Sequence, residues 1–106
     1  MPRYLIIASY TPDGIRGLLE GGGTARRRAV EEAIRGAGGK LETFDFAFGE
    51  DDVYVVAEMP DNVAAASIGL TVAASGLVRT RTVVLLTPEE IDRAAEVEVS
   101  YRPPGR

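Results

Sequence analysis

The chain has 106 residues, 45% hydrophobic and 26% charged, which fits one globular domain with a core of its own. It holds neither Cys nor His. That excludes disulfides, thiolate and imidazole metal sites, cysteine nucleophiles and Ser-His-Asp hydrolysis. The net charge of −4 is wrong for nucleic acid, and no apolar run reaches the ~18–20 residues of a membrane span. Neither is therefore expected as a partner. No signal-peptide pattern follows Met1-Pro2-Arg3-Tyr4, so the chain reads as cytoplasmic.

Residues 3–10 are short, apolar and aromatic and predict a first strand. Thr11-Pro12-Asp13-Gly14 reads as a turn. Gly14, Gly17 and Gly21-Gly22-Gly23 then predict a mobile loop, with one helical turn at most at Ile15–Leu19. A helix is expected from Thr24, its N-cap, to Ala37. Val30, Ala33, Ile34 and Ala37 form its apolar stripe, and Gly38-Gly39 stops it. The second strand is expected over Lys40–Phe48, with Phe44, Phe46 and Phe48 on one face. A polar connection at Gly49–Asp52 leads to a third strand over Val53–Met59.

Asp61 is the expected N-cap of a helix over Asn62–Ala74, with Ala65, Ile68 and Val72 on its stripe. A fourth strand follows over Leu77–Leu86. Thr87-Pro88-Glu89-Glu90 is a capping box with Pro at the first helical position, and it predicts a short terminal helix. The βαββαβ order predicts an α+β, ferredoxin-like domain over residues 1–96. It has a four-stranded antiparallel sheet, two helices on one face and a short C-terminal helix. Residues 97–106 are expected to be a tail, partly disordered.

The strands are apolar on both faces. Leu5 and Ile7 oppose Tyr4, Ile6, Ala8 and Tyr10, while Tyr54 and Val56 oppose Val53, Val55 and Ala57. Two helices cover only one face of a sheet. The other is expected to bury itself against a second copy of the chain or around a small apolar ligand.

Certain segments resemble the GYD domain family of small bacterial proteins. They are the Tyr4–Tyr10 strand, Asp13-Gly14-Ile15-Arg16, Gly38-Gly39-Lys40, Gly49-Glu50-Asp51-Asp52-Val53, Met59-Pro60-Asp61 and Ser75-Gly76-Leu77-Val78-Arg79-Thr80. The resemblance runs over about residues 2–95. It implies a ferredoxin-like fold of the dimeric α+β barrel group and carries no established activity. Asp51 stands where the family signature carries Tyr, and Asp52 aligns with the signature Asp.

Several side chains are candidates for chemistry. Glu50-Asp51-Asp52 is a weak cation site, an acid and a base, or a solvated turn. No metal and no cofactor is expected. Asp45 and Glu58 are carboxylates within apolar strands, hence either candidate bases or partners of Arg79 or Arg81. Arg79 and Arg81 share one strand face. They are suited to an anionic ligand, to Glu58 or to a partner subunit. Tyr4, Tyr10 and Tyr54 line a cavity or fill the core. Arg26-Arg27-Arg28 reads as a solvated face. The expected function is a homo-oligomer that binds a small, partly apolar molecule at the sheet face or subunit interface, in an accessory or regulatory role. The alternative is a cofactor-free oxygenase or isomerase acting on an aromatic or polyketide-like substrate.

Overall fold

A computed structural model describes all of residues 1–106. The chain runs β1 (Arg3–Tyr10), α1 (Pro12–Gly21), α2 (Gly23–Gly36), β2 (Lys40–Phe46), β3 (Val53–Glu58), α3 (Asn62–Ala74), β4 (Val78–Leu85) and α4 (Pro88–Glu96). The strands form one antiparallel sheet in the order β2-β3-β1-β4, with β1 and β3 central. This is the ferredoxin-like α+β arrangement, with helices α1 and α4 added to its two crossover helices. No helix is long and apolar enough to cross a membrane.

Helix α1 replaces the expected glycine-rich loop. Thr11 is its N-cap, with Oγ1 accepting from the Gly14 N–H at 3.2 Å, and Pro12 opens the first turn. The same Thr-Pro signal announces α4, where Thr87 and Glu90 close a full capping box. Gly14 has a further role. A Cβ there would overlap the Leu77 carbonyl, so only glycine lets α1 lie against the start of β4 and the Tyr10 ring. Gly23 is less constrained: a Cβ there would meet only the Phe46 ring, at 3.0 Å, which a small shift of that ring could relieve.

Strand alternation gives the sheet two distinct faces. Tyr4, Ile6 and Ala8 of β1 share the covered face with Val53, Val55 and Ala57 of β3 and Val78 of β4. Ile34 from α2 and Ala65 from α3 complete the buried core, and Val30, Ile68 and Val72 pack against it. Ala33, expected on the α2 stripe, is exposed. Tyr4 is fully buried, and its hydroxyl donates to Asn62 Oδ1 at 2.6 Å at the start of α3.

The second face carries Arg3, Leu5, Ile7 and Ser9 of β1, Tyr54, Val56 and Glu58 of β3, and Arg79, Arg81, Val83 and Leu85 of β4. No helix covers it. A bulge in β2 between Leu41 and Thr43 changes which residues share a face. Leu41 is buried opposite Ala57 on the covered face, while Thr43 and Asp45 lie opposite Val56 and Tyr54 on the open one. Strict alternation along the strand would place Leu41 with Thr43 and Asp45, and the bulge separates them. Phe44 and Phe46 stack edge to face at 5.3 Å, whereas Phe48 lies beyond the strand and is fully exposed.

Every residue from Ile91 to Arg106 is exposed, and residues 97–106 form neither helix nor strand. The radius of gyration is 17.0 Å, against roughly 13 Å for a compact chain of this length.

Candidate functional site

Between the covered sheet face and helices α2 and α3 lies a cavity of about 50 Å³. Its walls are apolar: Ile6, Ala8, Val53 and Val55 from the sheet, Val30 and Ile34 from α2, and Ala65, Ile68, Gly69 and Val72 from α3. The small residues of α3 leave this space. Ala65 and Gly69 face the sheet where a larger side chain would fill the gap. Thr80 and Thr82 of β4 bring hydroxyls to one wall, and Tyr10 and Arg26 supply the remaining polar groups.

A second basin of about 290 Å³ opens between α1, the first turn of α2 and the end of β1. Gly14, Gly17, Gly21 and Gly22 line it, and Tyr10, Arg26 and Val78 belong to both spaces. Tyr10 and Arg26 therefore stand at the junction of an open basin and an apolar interior.

The junction is held from two sides. Asp52 Oδ2 accepts the Tyr10 backbone N–H at 2.8 Å, and the Asp52 N–H donates to the Ala8 carbonyl at 2.9 Å. Asp52 thus clamps the C-terminal end of β1 and does not line the cavity. From α2, the Arg26 guanidinium carbon stands 6.0 Å from the Tyr10 ring centroid, a cation–π arrangement. Arg26 Nε is shielded from solvent and has no hydrogen-bond partner. Burial pushes the Tyr10 phenol above its ordinary value. The Arg26 charge and hydrogen bonding from its guanidinium oppose that rise, and the Asp52 charge adds to it. The phenol is neutral at pH 7.

The other candidates lie elsewhere. Tyr4 is a core residue with a satisfied hydroxyl. Asp45, Tyr54, Glu58, Arg79 and Arg81 all sit on the open face. Arg81 pairs with Asp51, Nη2 to Oδ2 at 3.0 Å, and Ser9 Oγ donates to Asp51 Oδ1 at 2.9 Å. These bonds from Arg81 and Ser9 hold the Asp51 carboxyl below the usual range. Within the chain, Glu58 pairs with neither Arg79 nor Arg81. Arg81 lies opposite Ile7, but Glu58 lies opposite Arg3, four residues along β1, and Arg3 itself pairs with Glu42 at 2.9 Å. Asp51 and Asp52 point to different partners, and no cluster of three ligating side chains exists in the chain.

Arg26 is the residue that sequence reasoning missed. It was grouped with Arg27 and Arg28 as a solvated face. The signal was its phase: Arg26 lies four residues before Val30 and eight before Ile34, which extends the buried stripe one turn towards the N-terminus.

The GYD domain family matches the chain over residues 4–95, and the chain belongs to that family. No curated protein and no solved structure matches it.

Proposed function

We propose that this GYD domain chain binds a small, partly apolar molecule in the cavity behind α2 and α3, as a homo-oligomer joined through the open sheet face, in an accessory or regulatory role. The observation that carries this reading is the apolar cavity that ends on a phenol and on an arginine whose Nε is shielded from solvent. Concave apolar space with a few convergent polar groups is the usual form of a small-molecule site. The polar groups present favour holding over catalysis. No carboxylate lines the cavity or the basin, and the Tyr10 phenol is pushed away from the range of a general base. This weighs against the oxygenase or isomerase alternative.

The oligomer rests on the open face. Leu5, Val56 and Leu85 are half-buried, and Tyr54 and Val83 are exposed, in adjoining rows on three neighbouring strands. An apolar surface of this kind, rimmed by charges, suits an isologous contact with a second copy. Native mass spectrometry of the purified protein tests both halves together. The expected species is a dimer or higher multiple carrying a small-molecule mass that is lost on denaturation. A bare monomer at micromolar concentration would contradict both.

A further inference from the structure

We infer that the bound molecule is a carboxylate on a short apolar chain, and that Arg26 binds its charged end. The inference rests on the cavity reading above and specifies the chemistry of its ligand.

Arg26 differs from the other arginines of the fold. Arg3, Arg16, Arg27 and Arg81 each have an acidic partner within the chain. Arg28, Arg35, Arg79, Arg93, Arg102 and Arg106 are unpaired but exposed to water. Arg26 has no acidic partner, and its Nε is cut off from solvent. A shielded donor on a cation without an acceptor is costly to maintain. An acceptor from outside the chain would satisfy it.

The surroundings favour an anion. No Asp or Glu lines either the cavity or the basin. Helix α2 begins at the basin with Gly22 as its N-cap. It has no side-chain cap and no acidic residue in its first turn, so the positive end of its dipole is uncompensated there. A carboxylate matches the guanidinium fork. A doubly charged phosphate would want more than the single cation this junction offers.

The apolar end follows from the cavity. About 50 Å³ is room for roughly four water-sized spheres, but the walls are too apolar to hold water well. A short alkyl chain fits this space while its head group remains at Arg26. A neutral apolar molecule would leave Arg26 unsatisfied, and a small inorganic anion would leave the cavity empty.

Calorimetric titration of the full chain with hexanoate and with hexan-1-ol separates the possibilities. Wild type is expected to bind hexanoate about tenfold tighter than the alcohol, the scale of one charge-assisted hydrogen bond. Arg26→Gln should bring the two affinities together, and Arg26→Lys should restore part of the difference. The wild-type comparison decides even if a variant fails to fold. Equal affinities in wild type would overturn the carboxylate inference and leave the cavity reading standing. Absence of binding by either probe would overturn both.

Discussion

The two faces of the sheet are built from the same strands and have opposite fates. On the covered face, Tyr4, Ile6 and Ala8 of β1 are buried under α2 and α3, and the packing closes around a cavity. On the open face, Leu5 is half-buried, while Tyr54 and Val83 remain 37% and 41% exposed. The open face has an ion pair near each end, Arg3–Glu42 and Arg81–Asp51. Ile7 alone is buried there, between its cross-strand neighbours Tyr54 and Arg81. Apolar alternation by itself does not distinguish the two faces. The face beneath the helices encloses a small apolar cavity, and the other leaves a broad, partly apolar surface open.

Introducing the same charge on each face gives the sharpest contrast. Ile6→Arg places a guanidinium among Val55, Ile34 and Ala65 and is expected to abolish folding, since an unpaired buried charge costs more than a marginal domain can spare. Val56→Arg is expected to keep the wild-type circular dichroism spectrum and shift the protein to monomer in sedimentation velocity. If both variants unfold, or if Val56→Arg remains associated, the division between the faces fails.

Truncation within the covered face has the next largest effect. Ile34 is fully buried, so Ile34→Ala should lower unfolding stability by about 2–5 kcal/mol. Urea denaturation measures the loss. A cost below about 1 kcal/mol would mean that the core around the cavity is far looser than its burial indicates.

The smallest effect lies at the rim of the open face and depends on pH. The Asp51 carboxyl titrates below its ordinary 3.8 because Arg81 and Ser9 donate to it. The unfolded chain therefore binds more protons at this group than the folded one as pH falls through that range. The contribution of Asp51 to stability is present above about pH 4–5 and is lost progressively below. Asp51→Asn should flatten a small part of the acid limb of a plot of urea midpoint against pH. Identical acid limbs would show that the contact with Arg81 and Ser9 contributes nothing.

The four strands and the helices α2 and α3 were legible because their signals are periodic and local. The N-cap Asp61 and the stripe Ala65, Ile68 and Val72 mark α3 directly, and the capping box at Thr87 marks α4. Helix α1 was hidden by glycine. Gly14, Gly17 and Gly21 are poor helix formers, and they outweighed a Thr11-Pro12 start of the same kind as that of α4. Tertiary contact explains the helix instead, since Gly14 is required where α1 meets Leu77. The β2 bulge was not legible, because one extra residue leaves composition unchanged and reverses the facing of Leu41. The site was half legible. Tyr10 and Asp52 were candidates and meet at the end of β1. Arg26 was lost inside a basic triplet, where charge pointed to solvent and helical phase pointed to the interior.

The most direct measurement is a chemical-shift map of the protein titrated with hexanoate. The account predicts perturbed methyl and amide signals at Val30, Ile34, Val55 and Ile68, behind α2 and α3, with Val56 and Val83 unmoved. Shifts confined to Val56, Val83 and Leu85, with the cavity residues silent, would contradict it.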